Sequence, residues 1–326
     1  MDGTGLDIVA ERALTILLDE SPSDADGAGT CAAPDAIFPT CDVAVDVKTR
    51  PLFLQAITAE ALLEIAPDLH CVRVDRAIRQ IAAARDAIAL DDRYPIADRV
   101  EFPADAQELA QLLLLFARAG RSDLIARYCV PPLATLLPYA EADGIIPTWI
   151  LPPAGRDPAE GGGAIADLFY AFARWDPRRF LGGIVAGARW VGTCQQPDGS
   201  WGAGPGTDRF YASWQALRLL GAVMPNHPAV PRAVAFLHNS RSPAGGWGDG
   251  AGDDPLATAC ALQALLAART RPSAALVREA VAAVAPHLAA LPPSDTVASR
   301  PLPGATVLAA GLLLRALHTL QLTSHQ

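Results

Sequence analysis

Two kinds of apolar stretch alternate along this chain. Those beginning near residues 51, 105, 161, 208, 254 and 304 are apolar almost all round, while those between them carry Arg and Glu on one face. A helix apolar all round is a buried one, and a helix with one charged face lies at a surface. The pattern predicts twelve helices, at 6–19, 51–65, 72–90, 105–119, 123–137, 161–175, 178–194, 208–221, 228–239, 254–268, 273–291 and 304–322. Their punctuation agrees: Pro51 suits a first helical turn, Ser122 an N-cap and Gly120 a helix end. The starts of the buried set recur at intervals of about 46 to 56 residues, the length of a paired-helix repeat. Six inner and six outer helices, alternating in sequence, describe an all-α chain closed into an α/α toroid. One domain over 1–326 is expected, with a flexible loop at about 20–41 where Gly, Ala, Asp and Pro accumulate.

The connections carry a repeat of their own. Residues 194–202 read Cys-Gln-Gln-Pro-Asp-Gly-Ser-Trp-Gly, and 242–250 read Ser-Pro-Ala-Gly-Gly-Trp-Gly-Asp-Gly. Trp201 and Trp247 are large anchors in otherwise polar turns, which implies that each turn folds back onto something. Gly199 suits a turn position of positive φ. Each copy leads into an Asp-headed helix of small and apolar residues, from Asp208 and from Asp254, and a weaker copy runs from Asp143 to Trp149. This pattern resembles the Gln-Trp repeat of squalene-hopene cyclases and other class II terpene cyclases. Gly187, Trp190, Gln195, Gly199 and Trp201 match it, and Phe236, Gly245 and Trp247 match it again, with Ser240 near the place of the Gln. Protein prenyltransferase β subunits are more distant relatives. The strong match covers about 185–268, and the fold it implies is the toroid that the helix pattern reaches separately.

Composition narrows the classes. The chain has 326 residues, 51% hydrophobic but 6% aromatic, so Ala and Leu make the core and close-packed helices are favoured over sheets. A net charge of −9 argues against nucleic acid as a partner. The six cysteines are scattered without a Cys-x-x-Cys pair and read as reduced thiols. No basic-then-apolar leader and no uninterrupted apolar run of about 18 residues is present, so a cytoplasmic protein is expected. Peripheral contact with a membrane surface is allowed.

The chemistry implied by the resemblance is proton-initiated cyclisation of an isoprenoid by an isomerase or lyase that uses no metal and no cofactor. Such a reaction needs a dry cavity lined with aromatic faces, which stabilise cations through the ring quadrupole. Phe53, Phe169, Tyr170, Tyr211 and Trp214, on predicted inner helices, are the candidate lining. The reaction also needs a carboxylic acid kept protonated by burial. The family's Asp-x-Asp-Asp is absent from this sequence. Its nearest approach is Asp249 with Asp253 and Asp254, followed by Thr258 and Ala259; a second candidate pair is Asp42 and Asp46 among valines. Asp46, Asp42, Asp254 and Asp253 are therefore the candidate acids, each also able to serve as an N-cap. Arg50, with Lys48, Arg209 and Arg300, lies near predicted inner-helix starts where an anionic substrate group would want cations. Asp91–Asp92 lacks the third carboxylate of a magnesium-binding helix, and the six histidines form no zinc pattern. A non-catalytic toroid that binds an isoprenoid or lipid, or serves as an interaction scaffold, is the alternative.

Overall fold

The structure, a computed structural model, describes residues 9–11, 13–15, 50–65, 67–90, 106–137, 162–202, 209–248, 252–289 and 304–324; the predicted loop at 20–41 lies outside them. Among the described residues all regular structure is helical. Residues 9–15 contribute a short N-terminal helical stretch with Val9 and Ala13 buried. The longer helices are α1 (Arg50–Ile65), α2 (Pro67–Leu90), α3 (Ala106–Arg118), the composite α4 (122–136), α5 (Gly162–Trp175), α6 (Leu181–Thr193), α7 (Arg209–Val223), α8 (Ala229–Asn239), α9 (Pro255–Ala267), α10 (Ala274–Ala289) and α11 (Gly304–Ser324). No helix among the described residues is long and apolar enough to cross a membrane.

The odd-numbered helices form the inner ring. Each packs on the next, α1 on α3, α3 on α5, α5 on α7, α7 on α9 and α9 on α11, and α11 returns to α1, closing an α/α toroid. The even-numbered helices lie outside: α2 on α1, α4 on α3, α6 against α5 and α7, α8 against α7 and α9, and α10 on α9. Inner helices must be apolar on every side because neighbours cover every side, and α9 shows it: all of Leu256 to Leu265 is buried. All six inner helices start within one residue of the expected positions.

Within α4, a π-helical turn over Ile125–Cys129 precedes Pro131 and Pro132. In a regular α-helix those rings would press on the carbonyls four residues back, and the wider turn relieves the clash.

Ring geometry sets two unlike rims. Inner-to-outer connections are short, at 66, 119–121, 176–180, 224–228 and 268–273. Outer-to-inner connections are long, at 91–105, 137–161, 194–208, 240–254 and 290–303, and all feed the N-terminal ends of the inner helices. Side-chain pairing fixes the direction: Gln111 of α3 meets Glu60 of α1, and Arg118 further along α3 meets Glu64 further along α1, so these inner helices run parallel.

The two tryptophan turns are superposable in their bonding. Each indole N–H donates to a carbonyl ten residues earlier, Trp201 to Val191 and Trp247 to Leu237, both at 2.7 Å. Each tryptophan amide donates to a hydroxyl on the following inner helix, Ser213 at 3.1 Å and Thr258 at 3.0 Å. Gly199 and Gly245 sit at φ +94° and +108°. A Cβ on Gly199 would lie 2.5 Å from the Arg232 carbonyl oxygen of α8, so the turn needs glycine twice over, for conformation and for space. Gln195 donates to the carbonyls of Gly199 and Ala229, tying the first turn to the start of α8. The residue that does this in the second turn is Arg241, not Ser240. Its Nε donates to Gly245 O at 2.9 Å and its Nη2 pairs with Glu279 of α10 at 2.7 Å, while Ser240 bonds back to Phe236 O on its own helix.

Gly187 marks where α6 touches α5 most closely: a Cβ there would fall 2.1 Å from Cδ2 of the buried Phe169 ring. Gly187→Ala is therefore expected to destabilise the protein by about 1–3 kcal/mol, the cost of overpacking a filled core. Chemical denaturation of the two proteins checks it, with a lowered midpoint at unchanged slope as the expected result.

Candidate functional site

A charged residue in the middle of an apolar helix must find its partner across the ring. Glu60 (α1), Asp167 (α5), Arg218 (α7) and Arg315 (α11) do so, joined by the amides of Gln107 and Gln111 (α3) and Gln215 (α7). Arg218 acts electrostatically on Glu60, although α7 and α1 stand on opposite sides of the ring. The polar cluster thus crosses the ring axis.

Its lower part, toward the short-turn rim, is an ion-pair cage. Glu60 is fully buried and accepts from Gln111 Nε2 at 2.8 Å; Arg118 stands 3.6 Å and Arg315 3.9 Å from its carboxylate. Glu64 holds the same two arginines from the solvent side, Arg315 at 2.7 Å and Arg118 at 3.0 Å. Burial pushes the Glu60 carboxyl up, but Arg315, Arg218, Arg118 and the Gln111 amide together outweigh it and hold Glu60 below the ordinary carboxylate range.

The upper part centres on Asp167. One of its oxygens accepts from Arg218 and the other from Gln215. Burial pushes this carboxyl above its ordinary range, in opposition to Arg218 and Gln107. The Arg218 guanidinium lies over two rings at once, 4.5 Å from the Tyr170 centroid and 4.6 Å from that of Trp214, and Asp167 and Tyr170 hold its charge firmly against burial. Tyr211 packs edge-on against Trp214 at 5.5 Å, and its hydroxyl accepts from Gln107 Nε2 at 2.9 Å. Burial and the nearby Asp167 raise the Tyr211 hydroxyl well above its usual range, so it stays a neutral phenol.

The predicted lining is brought together in part. Tyr170, Tyr211 and Trp214 surround the Asp167–Arg218 pair. Phe169 is buried but turns outward: its ring stacks edge-on with Phe172 and packs on Gly183 and Gly187 of α6. Phe53 is buried near the start of α1. The faces of Tyr170 and Trp214 that were expected for a substrate cation carry Arg218.

The predicted acids fare differently. Asp254 is exposed and is the N-cap of α9, its carboxylate accepting from Ala257 N at 2.7 Å. An Asp before a Pro-led helix has this task by local geometry. Asp254→Ala is expected to cost about 1 kcal/mol and Asp254→Asn only a fraction of that, since Asn caps equally well; thermal unfolding of the two variants checks it. Asp253 is half-buried beside Gly246, and its Oδ1 meets no hydrogen-bond partner among the described residues. Asp42, Asp46, Asp249, Lys48, Arg300 and the Arg50 side chain lie outside the described residues. Arg209 pairs with Asp198 of the first tryptophan turn at 3.3 Å and lies over Phe210 and Phe236.

Glu60, Gln111, Asp167, Gln215, Arg218 and Arg315 were not anticipated. The signal was present, however: Ala59-Glu60-Ala61, Ala166-Asp167-Leu168, Leu217-Arg218-Leu219 and Leu314-Arg315-Ala316 each place one charge inside an all-apolar helix, and such charges are buried only as partners of one another.

The fold as a whole has solved counterparts. A variant of the type II terpene cyclase MstE from Scytonema, in complex with its substrate geranylgeranyl dihydroxybenzoate, aligns with a TM-score of 0.63 at 15% identity, covering 98% of this chain and 99% of that one. A second variant, in complex with the product merosterolic acid A, aligns with a TM-score of 0.63 at 16% identity, over 97% and 98%. The ent-copalyl diphosphate synthase from Streptomyces platensis aligns with a TM-score of 0.55 at 21% identity, over 98% of this chain and 68% of that one. No family model matches the sequence. At these identities the likeness shows the fold.

Proposed function

We propose that this chain is a class II-type terpene cyclase, an isomerase or lyase that protonates a terminal alkene of an isoprenoid and guides the cation through ring closure without a metal. One observation carries the reading: Asp167, a carboxyl that burial raises above its ordinary range, stands within the ring beside Tyr170, Tyr211 and Trp214. The whole-chain likeness in fold to type II terpene cyclases supports it.

The acid chemistry follows from two opposed influences on one group. Desolvation shifts Asp167 toward its protonated form, and Arg218, already in place, stabilises the carboxylate once the proton has gone. The alkene π pair takes the proton and forms a C–H bond, leaving the positive charge on the adjacent carbon. Loss of a proton at the end gives an isomer of equal mass. An anionic substrate head would find a positive field at the N-termini of the inner helices.

Incubation with farnesyl and geranylgeranyl diphosphates and a prenylated hydroxybenzoate, read by mass spectrometry and NMR, tests the proposal. A cyclised isomer is expected, and Asp167→Asn is expected to lower its rate by about 10²- to 10⁴-fold, the usual worth of a general acid. Loss of turnover in Asp46→Asn with Asp167→Asn fully active would pass the acid role to Asp46. Saturable binding of these compounds with no isomer formed would favour the isoprenoid-binding alternative.

A further inference from the structure

The Asp167–Arg218 pair contains more than the acid requires. A carboxyl kept neutral by burial alone needs no partner, and a buried guanidinium is costly to install. Arg218 is nevertheless held from several directions. It donates to Asp167, it lies over Tyr170 on the same helix as Asp167 and over Trp214 on its own, and it is more than nine-tenths buried. Two rings within 4.6 Å of a desolvated guanidinium fix its plane as well as stabilise its charge. Its Nε and Nη1 meet no hydrogen-bond partner among the described residues, so Asp167 is the acceptor toward which the group is committed.

From this geometry we infer that Arg218 is the positioning residue of the acid: it fixes the orientation of the Asp167 carboxyl and takes up the negative charge left there when the proton passes to the alkene carbon. The inference rests on the cyclase reading of the site. The step balances as written. The O–H bond of Asp167 breaks with its electrons staying on oxygen, the alkene π pair forms the new C–H bond, and the resulting carboxylate faces an arginine that was cationic throughout. No charge has to move in the protein to meet it, which is what distinguishes a preorganised acid from a merely buried one.

The groups that act on Asp167 come from three other helices of the ring. Arg218 and the Tyr211 hydroxyl belong to α7, Glu60 to α1, and α3 contributes the neutral Gln107 amide. Arg218 is the single cation in this set, and Glu60 works against ionisation of Asp167. Removing the arginine's charge therefore moves the Asp167 titration toward higher pH, and keeping a charge there preserves it.

Two variants and two readouts test this. In Arg218→Gln, which retains amide donors, the alkaline limb of the pH–rate profile is expected to move up by at least one pH unit while the plateau rate falls about 10²-fold. In Arg218→Lys the limb is expected to stay within about half a unit of wild type. A fall in rate in Arg218→Gln with the limb unmoved would show an ordinary packing role and overturn the inference. The second readout needs no turnover. The carboxylic C=O stretch, assigned by its loss in Asp167→Asn, is followed by infrared difference spectroscopy as a function of pH in the full chain. Its midpoint is expected to rise in Arg218→Gln and to stay near wild type in Arg218→Lys. An unmoved midpoint in Arg218→Gln overturns the inference whether or not the chain cyclises isoprenoids, and a shifted midpoint in a chain inactive on every substrate tried would sink the cyclase reading and leave the pairing of Arg218 with Asp167 standing.

Discussion

Replacing Glu60 with alanine is expected to cost about 3–5 kcal/mol of folding stability, the penalty for breaking a buried ion pair by removing one partner. The loss is large because one carboxylate serves Arg118 and Arg315 directly and Arg218 at longer range. Without it, Glu64 alone faces the two arginines of the cage. The pH dependence has a definite sign. The folded state holds Glu60 below its ordinary value, so its contribution is fully present above the unfolded pKa, about 4.3, and is lost as pH falls through the folded value. The gap between wild type and Glu60→Ala is therefore expected to be flat above about pH 5 and to narrow below about pH 4. Asp167 works in the opposite sense, since its neutral form is the one favoured on folding, and Glu60 is a minor contributor to that preference, so its removal alters the Asp167 titration only in second order. Urea titrations at a series of pH values measure the gap. A gap that widens toward acid would refute the ion-pair account.

The second large effect lies in the turns. Trp247→Ala is expected to cost about 3–5 kcal/mol, the usual range for deleting a buried aromatic side chain. Trp247 is 0% exposed, and its removal also takes from the Leu237 carbonyl its 2.7 Å bond from the indole N–H, leaving the longer one from Ser240 Oγ at 3.4 Å. Trp247→Phe separates the two contributions, because it restores most of the volume and none of the hydrogen bond. It is expected to recover about two-thirds of the loss, leaving roughly the 0.5–1.5 kcal/mol of one lost hydrogen bond. Thermal unfolding of the three proteins at one concentration checks the order wild type, Phe, Ala. Trp201→Ala is expected to behave alike, since Val191 O and Ser213 stand in the same places around it.

What could be read in the amino-acid sequence and what could not divide along a physical line. Helix positions were legible because burial on all sides leaves a compositional mark: α9 and α7 hold almost no exposed residue, and the eye finds them without structure. The duplicated turns were legible because indole burial and positive-φ glycine are local demands that recur at fixed spacing. The site was less so. Asp254 reads as a candidate acid because Asp253 and Asp254, followed by Thr258 and Ala259, are the nearest approach to the family's acid motif, yet its place directly before α9 makes it that helix's cap. Asp167 and Arg218 drew none, because their meaning is a pairing between α5 and α7 that no window of sequence contains. Ser240 lies one residue from the counterpart of Gln195, since the second turn solves the same bonding problem with the longer Arg241 and a carboxylate on α10. The aromatic residues lie on inner helices as expected, but the Phe169 ring packs on Phe172 and on Gly183 and Gly187 of α6, a contact that the pattern along α5 alone does not reveal.

Closure of the ring by α11 against α1 has a consequence for synthesis. During translation, α1 emerges with one flank bare, and the segment that will cover it, Gly304–Ser324, leaves the ribosome only after every other helix of the ring. Nascent chains thus carry an apolar seam while the rest of the ring is synthesised, a state that invites chaperone capture. Truncation ahead of Gly304 would leave that seam open for good, and limited proteolysis would report it as a chain cut throughout its length and not merely at its tail.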